Sequence, residues 1–140
     1  MLQRVTTTIT TDASGNATVF LGSRLRGYLH QLVYRPGTLD TGADLTITVV
    51  AGDKPLPASS APVTTLGGYP ILTKVNLGTG DSFLYPRALP TNANSATGPL
   101  GTVPSERIPL VNDKIKVVVA QGGNTLTGTI EAVYETADPN

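Results

Sequence analysis

Residues able to carry catalytic chemistry are scarce in this sequence. It holds one histidine, His30, and no cysteine. His30 lies in a segment with strand character, and we expect it to share a strand face with Leu32 as a packed or surface residue. A nucleophilic triad or a histidine-rich metal site needs partners that one histidine cannot supply. The sequence therefore predicts neither kind of site.

The acidic residues are spread over predicted turns and polar strand faces. They include Asp40, Asp44, Asp53, Asp81, Glu106, Asp113, Glu131 and Glu135. A glycosidase needs two facing carboxylates, one with its pKa raised by burial, and no such pair is evident. Asp40 and Asp44 flank Gly42, but their spacing matches no EF-hand, so we interpret them as turn residues. We predict a protein that is not an enzyme and has no catalytic residue, metal or cofactor.

The aromatic residues offer a second kind of chemistry, stacking against sugars or bases. They include Tyr28, Tyr34, Tyr69, Phe83, Tyr85 and Tyr134. Tyrosines on strands more often form the rim of a core or cross-strand pairs, and the sequence has no Trp. A carbohydrate platform stays open as the alternative interpretation.

Charge and hydropathy exclude two classes of partner. Ten basic and ten acidic residues balance, and charged residues make up only 14% of the chain. Without a basic run, the field that nucleic-acid binding requires is missing. No stretch reaches the roughly 20 apolar residues that span a bilayer, and the N-terminus has no apolar signal region. We expect a single domain over residues 1–140, made in the cytoplasm, with no nucleic-acid or membrane partner.

Apolar residues alternate with polar ones along most of the chain, which predicts strands. The predicted strands cover residues 5–10, 17–21, 26–34, 45–50, 70–77, 82–89, 114–119 and 125–134. The turn chemistry of residues 12–16 predicts a hairpin of the first two strands, and that of residues 121–124 predicts a C-terminal hairpin of the last two. About eight strands without a helix predict an all-β, antiparallel β-sandwich of jelly-roll type.

Two stretches between strands are rich in Pro, Gly and Ala and have no periodicity. They are residues 52–69 and 90–105, which we predict to be long surface loops with a role in binding. Arg35 and Arg87 each stand beside a proline where a strand runs into a loop. Arginine is enriched at protein interfaces, so both are candidate contact residues, although a simple solvated arginine fits equally well.

Three passages together resemble the small structural proteins of tailed bacteriophages that decorate or cement the outside of the head. They are residues 30–37 (HQLVYRPG) leading into 44–48 (DLTIT), residues 70–74 (PILTK) leading into 83–87 (FLYPR), and residues 106–110 (ERIPL) continuing through 114–135. The likeness covers about three quarters of the chain as a general pattern, without a catalytic motif.

The resemblance implies a jelly-roll β-sandwich on the outer surface of the virion. It implies binding to the major capsid protein, self-association as a homodimer or homotrimer, and stabilisation of contacts between capsid subunits. We expect the interface to include Arg35, Tyr69, Tyr85, Arg87, Asn92 and Asn94. The alternative from another class is a receptor- or glycan-binding module of a phage head or tail fibre.

Overall fold

The computed structural model describes residues 1–51, 69–87 and 106–136, and for Ala51, Tyr69 and Pro70 it describes the backbone alone. These residues form seven strands and no helix. The strands are β1 (Leu2–Thr10), β2 (Ala17–Arg35), β3 (Asp44–Ala51), β4 (Tyr69–Lys74), β5 (Ser82–Leu84), β6 (Ile108–Ala120) and β7 (Thr127–Glu135). No helix among the described residues is long and apolar enough to cross a membrane.

The strands pair into one antiparallel sheet in the order β1-β7-β2-β6-β3-β4, and β5 pairs with β2 off this path. The all-β, antiparallel prediction is therefore confirmed. Both predicted hairpins are wrong in their pairing. β7 lies between β1 and β2, and β2 lies between β6 and β7, so neither predicted turn joins hydrogen-bonded strands.

Each turn connects two strands that have another strand between them, and the two turns bond to each other. The amide of Gly122 donates to the carbonyl of Gly15 at 2.8 Å, and that of Thr125 donates to Asp12 at 3.2 Å. The amide of Thr11 donates to the carbonyl of Leu126 at 3.0 Å, which extends the β1–β7 ladder into the second turn. Turn residues mark where the chain reverses but do not decide which strand fills the gap between its two arms.

β2 is one 19-residue strand where the sequence predicted two, which reduces the count from about eight to seven. Its first half pairs with β6, and its second half pairs with β7 on one side and β5 on the other. Gly22 (φ 68°) sits in the register shift between Leu21 and Leu25 and carries the chain through it, so the strand bends there instead of ending.

The core is one cluster of buried apolar side chains drawn from β1, β2, β3, β6 and β7. Ile9 of β1 and Ile47 of β3 belong to it and are fully buried. β1 and β3 are four strand positions apart, and buried residues of the intervening strands β7, β2 and β6 connect them within the cluster. Burial of each such Leu or Ile contributes about 1.5–3 kcal/mol.

Candidate functional site

The short strand β5 places a group of side chains on the outer face of the sheet, opposite the core. Val33 of β2 lies directly opposite Phe83 of β5, so both point to the same side. Leu84 and its partner Leu32 point the other way, toward the core. We call the outward group, with its neighbours along the two strands, the aromatic face. It consists of Gln31, Val33, Arg35, Phe83, Tyr85 and Arg87.

Two large aromatic side chains of this face remain open to solvent. Phe83 is 55% exposed and Tyr85 is 57% exposed. Val33 between the strands is only 2% exposed, although it lies outside the main core cluster. The face therefore has a packed apolar floor with aromatic surface left uncovered above it, and contact with another molecule would remove that surface from water.

Polar contacts frame the aromatic side chains and fix their positions. The amide of Gln31 donates to the Tyr85 hydroxyl at 2.8 Å. At the other end, Arg35 Nε lies 3.6 Å from a carboxylate oxygen of Asp81, in an ion pair whose two side chains are about half exposed. Such an exposed pair contributes little to stability but holds the arginine beside Phe83.

Arg87 fastens the segment after β5 to the sheet. Its Nη1 donates to the carbonyl of Pro86 at 2.8 Å and, over 3.4 Å, to the backbone carbonyl of His30 in β2. Pro86 is buried. The residues on either side of Tyr85 are thus held in place, so the ring is presented from a fixed backbone at low entropic cost.

The aromatic face continues across β7 and β1 as a polar surface. Glu131 of β7 lies opposite Val33, and Thr6 of β1 lies opposite Glu131. Arg4 Nη1 is 2.7 Å from one carboxylate oxygen of Glu131, and the Thr6 hydroxyl donates to the other at 3.2 Å. The charges of Arg4 and Glu131 therefore neutralise each other within the chain, so this part of the outer face carries little net charge.

The expectation for His30 is wrong in one respect. A register shift between Leu29 and Gln31 leaves His30 without a partner on β7. This bulge breaks the alternation, so His30 is exposed while Leu32 is fully buried. The two residues do not share a face, because one extra residue in a strand reverses the side to which the following side chains point.

Asp40 lies in the loop before β3, and Asp44 is the first residue of β3. Asp44 accepts from the amide of Asn76 at 3.0 Å and from the side chain of Gln121 at 3.1 Å. Asp40 lines an open polar depression of about 430 Å³ beside Asn124. Among the described residues, no three His, Cys, Asp or Glu side chains are grouped so that they could hold a metal ion.

Within the described ranges, two ionisable groups have shifted pKa values, and both lie away from the aromatic face. The guanidinium of Arg107 donates to the Glu135 carboxylate and holds the pKa of that carboxyl below its usual value. The same guanidinium stacks over the ring of Tyr28, 4.5 Å from its centroid. Burial in the core raises the pKa of Tyr34, whose hydroxyl has no hydrogen-bond partner in the part of the chain that the structure describes.

Of the predicted interface residues, the structure brings Arg35, Tyr85 and Arg87 together on the aromatic face. Tyr69 is the first residue of β4, paired with Val49 and three strands away from β2. Asn92 and Asn94, with most of the two predicted loops, lie outside the described residues.

The predicted interface residues did not include Phe83, Gln31 and Val33, which lie on the same face as Arg35 and Tyr85. A signal for them was present in the sequence, because period-two spacing puts Phe83 on the side of Tyr85, and Gln31 and Val33 on the side of Arg35. What the sequence did not contain was the pairing of β5 with β2, which joins these two sets.

No protein-family model matches the chain, and comparison with curated proteins and with solved structures gave no match. The functional argument therefore rests on the geometry of the aromatic face.

Proposed function

We propose that this chain is a structural accessory protein of a tailed phage, which binds the outside of the head and stabilises contacts between major capsid protein subunits. The observation that carries the proposal is the aromatic face, where Phe83 and Tyr85 stand exposed between Arg35 and Arg87 on a hydrogen-bonded sheet. Aromatic residues and arginine are the side chains most enriched where proteins bind proteins.

The placement of these groups on strands supports binding over catalysis. A preformed contact surface loses little conformational entropy on association, because its side chains are already ordered. In the free protein Gln31 already bonds the Tyr85 hydroxyl, and Asp81 pairs with Arg35. The aromatic face is small, which suits a protein that repeats the same weak contact many times over a lattice and gains affinity by avidity.

The weak charge of the chain supports the same assignment. Only 14% of its residues are charged, and Glu131 of the outer face is neutralised by Arg4. A surface of this kind can approach other protein without a large desolvation cost for unpaired charges. The proposal also includes a jelly-roll β-sandwich, formed as the sheet bends at β2, and self-association as a homodimer or homotrimer on the outer surface of the virion.

The test mixes the purified protein with emptied, undecorated heads of the phage that encodes it. Co-sedimentation reports binding, and calorimetry reports the melting temperature of the heads. We expect saturable binding and a higher melting temperature, because a ligand that binds only the assembled state stabilises it by mass action. Absence of binding at micromolar protein would refute the proposed function.

A second candidate function is a receptor- or glycan-binding module of a head or tail fibre. The observation that favours it is the Gln31 amide bonded to the Tyr85 hydroxyl beside the open ring of Phe83. An aromatic ring flanked by an amide and an arginine can stack on a sugar and bond its hydroxyls. Saturable binding on a glycan array, lost in Tyr85→Ala, together with no binding to heads, would favour this function over the first.

A further inference from the structure

β1 is an open edge of the sheet. Within residues 1–51, 69–87 and 106–136, its backbone pairs with β7 alone, in an unbroken register from Leu2 to Thr10. An edge strand presents a row of free N–H and C=O groups, and natural proteins usually block it with a proline, a bulge or charged side chains, above all lysine. β1 contains no proline, bulge or lysine, and its one charged residue, Arg4, is paired with Glu131 of the neighbouring strand.

Other open edges among the described strands carry such devices. Residues 17–27 of β2 pair with β6 alone, and register shifts interrupt this stretch between Leu21 and Arg26. β4 contains Pro70 and Lys74, and its pairing with β3 is interrupted by a register shift. β5 is only three residues long and is followed closely by Pro86. The contrast singles out β1 as the edge that is left able to pair.

The backbone direction shows which residues of β1 are free to bond. The amide of Thr11 donates to the carbonyl of Leu126, and the carbonyl of Met1 accepts from the amide of Thr136, both next to β7. In an antiparallel ladder, residues alternate between the two sides. Odd-numbered residues of β1 therefore bond to β7, and even-numbered residues direct their N–H and C=O groups to the open edge.

We propose that the occupant of this edge is β1 of a second copy of the chain, running antiparallel with Thr7 on the two-fold axis. The inference rests on the self-association included in the proposed function and names its surface. The central five residues of the strand, 5–9, are nearly symmetric about Thr7, with Val5 opposite Ile9 of the second copy and Thr6 opposite Thr8. A two-fold interface requires such self-complementarity.

Charge is compatible with this register. Arg4 is the only charged residue of β1, and it meets the uncharged Thr10 of the second copy while keeping its ion pair with Glu131. No like charges face each other. The even-numbered residues 4, 6, 8 and 10 pair with their counterparts through about eight backbone hydrogen bonds, two for each pair.

The dimer has a geometric consequence for the aromatic face. Thr6, Glu131, Val33 and Phe83 stand opposite one another on successive strands, so they share the outer side of the sheet. Joining two copies at β1 keeps both aromatic faces on one side. Seven strand spacings separate β5 from β5 of the second copy, about 34 Å measured along the sheet at the usual spacing. The dimer therefore offers a partner two copies of the same contact surface, which raises avidity.

The first test measures the mass of the full-length protein by sedimentation velocity at tens of micromolar. We expect a dimer for the natural chain and a monomer for Thr8→Pro. The substitution removes an amide that faces the open edge and leaves the bonds to β7, so the fold should persist. A monomeric natural chain, or a Thr8→Pro chain that is folded by circular dichroism and still dimeric, would overturn the inference.

A second test addresses the register and does not depend on proline. In the Thr7-centred pairing, Thr6→Lys/Thr8→Lys puts two lysines opposite two lysines, and Thr6→Lys/Thr8→Glu puts each lysine opposite a glutamate. For the first variant we expect a dimer dissociation constant at least ten-fold higher than that of the natural chain. For the second we expect a dimer whose affinity falls as the salt concentration is raised. Equal dimerisation of the two variants would contradict this register.

These measurements use the protein without heads, so they separate the inference from the proposed function. A monomeric chain that still binds heads would remove the β1 dimer and leave the capsid role standing. A β1 dimer that does not bind heads would remove the capsid role and leave the β1 dimer standing.

Discussion

Removing the ring of Phe83 should weaken binding to the heads without unfolding the chain. Phe83 is 55% exposed in the free protein. Of the roughly 200 Å² that a phenylalanine can bury, about 110 Å² thus remains to be covered by a partner. At about 25 cal/mol per Å² this area corresponds to about 2.7 kcal/mol. Alanine keeps the Cβ, so we expect Phe83→Ala to lose about 2 kcal/mol, a roughly 30-fold rise in Kd per protomer.

The assay is a titration of emptied heads with labelled protein, followed by pelleting. Val111→Ala is the matched control, because Val111 is 75% exposed and pairs with Arg26, more than about 20 Å along β2 from Val33. We expect the control to bind like the natural chain. Circular dichroism checks that both variants are folded. If Phe83→Ala and Val111→Ala had the same Kd, the aromatic face would not be the contact surface and the reasoning would fail.

Three further predictions concern the free protein. Tyr34→Phe removes a buried hydroxyl without a partner among the described residues, so we expect a gain of about 1 kcal/mol in urea unfolding, and a loss would mean that the hydroxyl is bonded. Gly27→Ala should lower the free energy of unfolding by more than about 3 kcal/mol, because a Cβ there would clash with the carbonyl of Glu135 and the backbone has a φ of 122°. Gly80→Ala is the control, since Gly80 has open space around it, and it should change the free energy of unfolding by less than about 1 kcal/mol. Arg107→Gln should raise the pKa of Glu135, measured by NMR titration of its carboxyl. Because the folded pKa is the lower one, the stability that this carboxylate contributes is present above its unfolded pKa and is lost as pH falls through the folded value. An unchanged pKa would show that the hydrogen bond does not hold in solution.

Most of the strands were predictable because one face is buried and the other is largely polar, although β2 buries Val33 on its outer side as well. Val5, Thr7 and Ile9 of β1 alternate with exposed residues and face inward, as their period-two spacing predicts. The bend at Gly22 was not predictable in the same way, because a glycine between two apolar runs reads equally well as a turn or as a bulge within one strand.

The pairings were not predictable from local chemistry. The turn at residues 12–16 has the composition of a hairpin, yet Gly15 accepts its bond from Gly122 of a distant turn. Bonds between distant turns depend on which strand lies between two others in the sheet. The two halves of β2 pair with different strands, the first with β6 and the second with β7. Partner choice over more than a hundred residues is a tertiary property that periodicity does not encode.

The residues of the candidate site were also predictable only in part, because the sequence indicates residue types and faces but not the pairing of β5 with β2. Arg35 and Arg87 could be proposed from their positions beside prolines, and Tyr85 from its type. Their neighbour Phe83 was named only as one aromatic residue among several, because its importance depends on the three residue pairs that join β5 to β2. A three-residue strand carries too little pattern to predict its partner.

The most direct test of the central claim is an electron cryomicroscopy reconstruction of emptied heads to which the purified protein has been added. The proposed function predicts additional density on the outer surface of the head, with β5 and the ring of Phe83 against the major capsid protein. Heads without additional density, or density in which the aromatic face points to solvent, would contradict it.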